Sequence, residues 1–173
     1  MDYTLRPMVV EDLPQVTEIE QESFPHPWSE DYFHHELTAN RIARYLVVCQ
    51  AAVVLGYIGL WLIVGEIHIT TLASHERHRR QGIADLLLIS AIELAQEHNA
   101  RFITLEVRES NLAARALYTK YGFAEGGIRH RYYSETGEDA VIMSTENITS
   151  ASFRDHFHRL KQAHARKHKL RLA

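Results

Sequence analysis

A single cysteine, Cys49, stands among the 173 residues. No internal disulfide can therefore staple the chain, and a reducing compartment, the cytoplasm, is the expected location. Cys49 lies within an apolar strand pattern and reads as a packed thiol rather than a nucleophile. No basic-then-apolar leader follows Met1, so no secretory signal is expected. Charge is missing altogether from Tyr45 to Gly65, a length that could span a membrane. That run holds Gly56, Gly59 and Gly65, is rich in Val, Ile and aromatics, and is interrupted by Gln50. Two adjacent strands, about 44–50 and 53–63, fit it better, because buried strands read as continuous apolar runs; no membrane partner is expected. Clustered metal ligands are missing too. His34-His35 and His156-x-His158 lack partners at ligand spacing and there is no Cys cluster, so no metal is expected and these histidines read as solvated helix positions.

What is present is a globular composition: 46% hydrophobic and 24% charged residues, in a chain long enough for one domain with a real core. Charge is unevenly placed. From Ile148 to Ala173 seven Lys/Arg oppose the single Asp155, a balance of +6. The whole chain carries −3, so residues 1–147 carry −9. An acidic body, 1–147, is expected to bear a basic helical tail, 148–173.

The periodicity predicts a short strand at Tyr3–Arg6 and a helix from about Val10 to Phe24. The prolines of Phe24-Pro25-His26-Pro27-Trp28 then enforce an extended elbow. Ser29 caps a second helix with Glu30 and Asp31 in its first turn. After the paired strands comes a fourth, Glu66–Ser74. A long helix follows Gly82, with Ile83, Leu87, Ala91, Leu94 and Ala95 on one buried stripe. Phe102–Val107 alternates as a strand, and Asn111–Tyr121 is a helix ended by Gly122. Phe123–Tyr133 and Ala140–Ser144 are the last strands, joined by the polar loop 134–139. The order βααβββαβαββ implies an α/β sheet covered by helices.

The turn Arg79-Arg80-Gln81-Gly82-Ile83-Ala84 joins the fourth strand to the long helix. Free N–H groups at a helix start, with the positive end of its dipole, hold phosphate. No Lys-Ser/Thr follows the glycine, so this is not a Walker loop; one glycine alone does not make a dinucleotide fingerprint. Arg79-x-x-Gly82-x-Ala84 resembles the pyrophosphate loop of the GNAT acetyltransferases. Further segments agree in order and spacing: Phe24-Pro-His-Pro-Trp-Ser, Leu105-Glu106-Val107-Arg108-x-Ser110-Asn111, Ala116-Leu117-Tyr118, Tyr121-Gly122-Phe123 and Glu138-Asp139-Ala140. Over residues 2–147 the chain is similar to the RimI-type N-terminal acetyltransferases, which acetylate the terminal alanine of a small-subunit ribosomal protein. Two departures stand out: Ala84 replaces a commoner glycine, and His75-Glu76 replaces an acidic-proline turn.

The resemblance implies a mixed, mostly antiparallel sheet of about seven strands, splayed between the fourth and fifth, with acetyl-CoA as acetyl donor. It implies that Leu72, Ala73 and Ser74 bind the pantetheine through their backbone. It further implies that Arg80, Gln81, Gly82, Ile83, Ala84 and Asp85 hold the pyrophosphate and that Asn111 bonds the cofactor. By resemblance Glu106 is the base that takes the amine proton, through a water, and Tyr118 is the acid for the departing thiolate. Read without it, Glu106 is a glutamate on a solvated sheet face, Tyr118 a core-edge aromatic and Asn111 an N-cap. Trp28, Tyr132 and Tyr133 would wall the acceptor groove, or simply pack. Glu138, with Glu135 and Asp139, would favour a cationic peptide N-terminus.

Two rival readings accompany this one. The acceptor of the same chemistry is another N-terminus, an internal lysine or a polyamine; or the chain is a non-catalytic protein that binds ribosomes or RNA. The second rests on the tail, where Phe153, Phe157 and Leu160 predict a helix over 152–168 with a narrow apolar stripe. Its cations either solubilise a docked terminal helix or contact ribosomal RNA.

Overall fold

The computed structural model describes residues 3–168. Its strands are β1 Thr4–Pro7, β2 Ala43–Gln50, β3 Val53–Ile63, β4 Glu66–Ser74, β5 Phe102–Arg108, β6 Phe123–Tyr133 and β7 Glu138–Thr145. Its helices are α1 Leu13–Ser23, α2 Glu30–Thr38, α3 Ile83–Glu97, α4 Leu112–Lys120 and α5 Ala151–His168. The strands form one seven-stranded sheet in the order β1-β2-β3-β4-β5-β7-β6. Every neighbouring pair is antiparallel except β4 and β5. A parallel pair needs a long crossover, and α3 supplies it. The expected mixed sheet flanked by helices is the observed one.

The β4–β5 ladder runs only from Glu66↔Phe102 to Ile69↔Leu105. Beyond it β4 stays paired to β3 through Gly56↔Ser74, and β5 stays paired to β7 through Arg108↔Ala140. The two parallel strands therefore separate at their C-terminal ends, which leaves one edge of residues 70–74 without a strand partner. This splay is where the site lies.

Each face of the sheet carries its own core. On one, α1 and α2 bring Leu13, Val16, Ile19 and Phe33 against Tyr45, Val47, Cys49 and Tyr57. On the other, α3 and α5 pack Leu87, Leu88, Ile92, Phe153 and Phe157 over Leu55, Ile58, Ile103 and Leu105. The charge-free stretch is the β2–β3 pair, and among the described residues no helix is long and apolar enough to cross a membrane.

Three details differ from the sequence expectation. The helix expected from Val10 begins as a 3-10 turn at Val10–Asp12, and α1 proper starts at Leu13. Pro14 suits a first helical turn because its missing N–H is not needed there. Asp12 meanwhile is held by the Val9 N–H and by Nη1 and Nη2 of the Arg6 guanidinium. Strand β7 starts at Glu138, two residues early, because Glu138 pairs with Tyr133. Helix α3 is buried well beyond one stripe, at nine of its fifteen residues. Helix α5 packs on α3 in addition to the sheet. At Gly56 a Cβ would lie 2.8 Å from Ile83 Cγ2 and from the Ala73 carbonyl, so glycine lets α3 begin hard against the sheet.

Ser150 caps α5 by accepting the Phe153 N–H at 3.2 Å. Phe153 and Phe157 stack with centroids 6.4 Å apart, and Ile148 joins them in the core shared with α3. The segment after residue 147 thus contributes to the same core as the body. Lys169 and Arg171 of the basic tail lie outside the described residues.

Candidate active site

Two cavities meet at the splay. One, of about 250 Å³, lies between the Phe24–Trp28 elbow, β4, β5 and Tyr133. The other, of about 510 Å³, runs from Leu72–Ser74 to the turn before α3. Ser23, Phe24, Leu72, Asn111, Ala114 and Tyr118 line both, so the two are continuous past these residues.

The larger cavity is lined by the turn that opens α3. Arg80 and Gly82 both adopt positive φ, +61° and +79°, which coils the turn tightly before the helix. The α3 ladder opens with the Leu86 N–H on the Gly82 carbonyl at 3.0 Å. The N–H groups of Ile83, Ala84 and Asp85 come before that ladder, at the positive end of the dipole. Arg79, Arg80, Gly82, Ile83, Ala84 and Asp85 line the cavity, as do Leu72, Ala73 and Ser74 along the unpaired β4 edge. Gln81 does not: its amide faces the Tyr3 hydroxyl at 3.5 Å and the Arg77 carbonyl at 3.4 Å. Asp85 ties α3 to the end of α4, accepting from Lys120 Nζ at 2.5 Å and from the Tyr121 hydroxyl at 2.8 Å. Burial pushes its carboxyl up, but those donors outweigh burial and hold it low. Asn111 caps α4 through Oδ1 on the Ala114 N–H at 3.2 Å. The hydroxyl of Ser23 is buried at the junction with no hydrogen-bond partner among the described residues. An open strand edge, a spare buried hydroxyl and a helix start with free donors fit a linear ligand with peptide-like groups in its middle and phosphates at its end.

The smaller cavity is lined by Glu106 and, where it meets the larger one, by Tyr118. Glu106, its side chain 9% exposed, accepts from His68 Nε2 at 2.8 Å and from Arg129 Nε at 3.2 Å. The His68 hydrogen bond, with the nearby positive charges, holds its carboxyl below the usual glutamate value of 4.5 although burial opposes this. Glu106 is therefore an ionised carboxylate at neutral pH. Tyr118 is buried, its ring 5.6 Å from that of Phe123. Burial, with the neighbouring Tyr133, raises its hydroxyl well above 10. A phenol in that state stays protonated and donates a hydrogen bond to any anion that forms beside it.

The groove walls divide the remaining expectations. Trp28 lines the smaller cavity and is set there by Glu20, a buried carboxyl that accepts the Trp28 backbone N–H at 3.1 Å and the Tyr57 hydroxyl. Burial raises Glu20 despite those two donors. The Trp28 ring lies 4.5 Å from Tyr32 and 5.9 Å from Phe33. Tyr133 also lines the cavity, with the Arg108 guanidinium 3.9 Å from its ring centre. Tyr132 lines neither cavity: it is 49% exposed, with its ring 5.2 Å from that of Tyr133. Glu138 faces elsewhere: it accepts the Ser110 N–H at 2.9 Å, the Ser110 hydroxyl, and Arg108 at 3.3 Å. It braces the β5–α4 turn, and Glu135 is the acidic residue on the cavity wall.

Sequence reasoning missed His68, Arg129, Glu20 and Ser23. His68 carried one readable signal, since it alternates with Thr70 on β4 as Glu106 does with Thr104 on β5. Its approach to Glu106 follows only from the parallel register His68↔Thr104.

Three comparisons bear on this arrangement. Residues 13–123 match the acetyltransferase (GNAT) family. The [ribosomal protein bS18]-alanine N-acetyltransferase of Escherichia coli K12 is 34% identical over 145 residues, covering 82% of this chain and 95% of that one. A Bacillus subtilis protein, named provisionally for the same activity, is 45% identical over 139 residues, 80% of this chain and 92% of its own. The crystal structure of the Escherichia coli ribosomal-protein-S18-alanine N-acetyltransferase superposes with a TM-score of 0.77 at 29% identity, covering 86% of this chain and 96% of that one.

Proposed function

The chain belongs to the acetyltransferase (GNAT) family, and from that premise we propose that it moves an acetyl group from acetyl-CoA to a protein N-terminal amine, that of the terminal alanine of ribosomal protein bS18. The observation that carries this reading is the meeting of two cavities at a shared wall that includes Tyr118. One arm suits the donor and the other an extended peptide, and Glu106 stands in the peptide arm. In this reading the N–H groups of residues 83–85 hold the phosphates of acetyl-CoA, and the open edge of Leu72–Ser74 pairs with its pantetheine. Asn111 adds a hydrogen bond from its side-chain amide.

The acceptor enters beside Trp28, Tyr133 and Glu135. An α-amine with a pKa of ~8 is mostly protonated at neutral pH and must lose a proton to attack. Glu106 takes that proton through a water, the amine nitrogen forms a bond to the acetyl carbonyl carbon, and the carbon–sulfur bond breaks. Tyr118 supplies a hydrogen bond or proton to the departing sulfur. No covalent acetyl-enzyme is involved, so both substrates must be bound together. The cytoplasm, where ribosomal proteins are made, is the corresponding compartment.

A peptide starting with alanine, an N-blocked peptide with an internal lysine, and a polyamine separate the possible acceptors. Mass spectrometry is expected to find one acetyl group on the alanine peptide at its α-amine. Acetylation confined to the lysine peptide or the polyamine would overturn the assignment. Arg154, Arg159, Arg166 and Lys167, all exposed on α5, support a further contact between this helix and ribosomal RNA.

A further inference from the structure

Helix α5 ends against the phosphate-binding turn. His164 is buried, and its Nε2–H donates to the Gly82 carbonyl at 2.9 Å. That carbonyl is the one that accepts the Leu86 N–H to open α3. The His168 ring lies 4.6 Å from that of His164. A Cβ at Gly82 would lie 2.5 Å from His168 Nε2 and 2.9 Å from His164 Nε2. The bare Cα of Gly82 is thus packed against two imidazoles. Neither ring lines the cavity in front of the turn, so both stand behind it. The same helix grips the body farther along: Lys161 pairs with Glu93 of α3, and His156 Nε2 meets the Lys120 carbonyl at 2.8 Å. Lys120 in turn holds Asp85. Lys161 thus anchors α5 to the later turns of α3, while His164 meets the start of α3 directly and His156 reaches Asp85 through Lys120.

We propose that α5 is part of the acetyl-CoA site, with His164 as a positioning residue that holds the phosphate turn from behind. A non-glycine residue at +61° and a glycine at +79° make this turn a strained, tightly coiled segment. Left to itself, such a segment samples several shapes, and a ligand must then select one of them. His164 fixes the Gly82 carbonyl along the α3 axis, which aims the N–H groups of residues 83–85 into the cavity before any ligand arrives. The family match ends at residue 123, so this brace is supplied by residues beyond it. It also gives the sequence its reason for a histidine at position 164, where an apolar residue would continue the Phe153–Phe157–Leu160 stripe.

The inference rests on the turn holding the phosphates of acetyl-CoA, and binding of CoA itself separates the two. His164→Leu keeps the buried volume and removes the donor, while His164→Gln keeps a donor. Calorimetry with CoA is expected to show about three- to tenfold weaker binding for the leucine variant, the worth of one hydrogen bond. The glutamine variant should stay within about twofold of wild type, and the KM for the acceptor peptide should not move in either. Equal CoA affinity in all three proteins, or equal weakening in both variants, would overturn the brace. Failure of the wild-type chain to bind CoA would instead overturn the site. Coupling is reciprocal, so saturating CoA should slow amide hydrogen exchange in residues 157–168 of the unaltered chain. Protection of residues 82–86 without any change in α5 would count against the proposal.

Discussion

Glu106 is ionised by the company it keeps. His68 and Arg129 hold its carboxylate at 2.8 and 3.2 Å, and the lowered pKa makes it always available but intrinsically weak as a base. The sign of the pH dependence follows. The acid limb of the rate near neutrality belongs to the acceptor amine, because Glu106 protonates only below the ordinary glutamate range. Glu106→Gln is therefore expected to lower kcat by roughly 10²- to 10⁴-fold while leaving the limb near pH ~8 in place. A glutamine variant that loses that limb would show that Glu106 itself titrates there. Its pairing also stabilises the fold. That contribution is fully present above the unfolded glutamate value of 4.5 and is lost as pH falls through the lower folded value. Tyr118→Phe should slow acetyl transfer with CoA affinity unchanged. A phenylalanine variant with wild-type kcat would remove the tyrosine from the chemistry.

At the scale of elements, α5 has two faces with different tasks. Its inner face buries Phe153 and Phe157 in the α3 core. Truncating Phe153, only 2% exposed, to alanine removes a ring and leaves a hole that the neighbours only partly fill. The expected loss is roughly 3–5 kcal/mol. For a chain of this size each kcal/mol moves the melting midpoint by about 2–4 °C. A thermal scan showing a fall of less than about 3 °C would mean that α5 is not integral to the core. The periodicity of Phe153, Phe157 and Leu160 was enough to read a helix and its apolar stripe. It did not disclose that the stripe continues to the buried His164, because a histidine in a basic tail looks like one more solvated cation. The turn before α3 was legible for the opposite reason: a glycine at a helix start is a local signal. Gly82 nevertheless has a second requirement, the imidazoles behind it, which depends on residues more than eighty positions away.

For the whole molecule, net charge differs along the chain, −9 over residues 1–147 and +6 over 148–173. The body is acidic, and the cations of α5 split between those engaged with the body and those left outside. Lys161 is paired with Glu93, whereas Arg154, Arg159, Arg166 and Lys167 are exposed. If the exposed four reach ribosomal RNA, changing them together to glutamine should weaken binding to ribosomal particles. It should also flatten the dependence of log K on log salt by up to about three units, nearly one for each phosphate that is no longer neutralised. The full chain is the right background for this measurement, since cutting after Asn147 would strip Phe153 and Phe157 from the core. Sedimentation binding with an unchanged salt slope would leave α5 with the internal roles alone.

The sequence by itself determined the order of elements, the α/β class and the turn before α3. Those follow from signals within a few residues of one another: the apolar alternation of β2 and β3, the caps Ser29 and Asn111, the prolines of the elbow and the glycine before α3. Resemblance then assigned roles that such signals could not. What tertiary structure alone decided is which side chains meet across the sheet. His68 and Arg129 reach Glu106 from β4 and β6, Glu20 sets Trp28 from within α1, and Glu138 turns to Ser110 and Arg108 away from the groove. These contacts depend on strand register, on the early end of the β4–β5 ladder and on the docking of α5. Register and docking are set by packing of the whole core, a sum over distant residues that no local pattern in the chain contains.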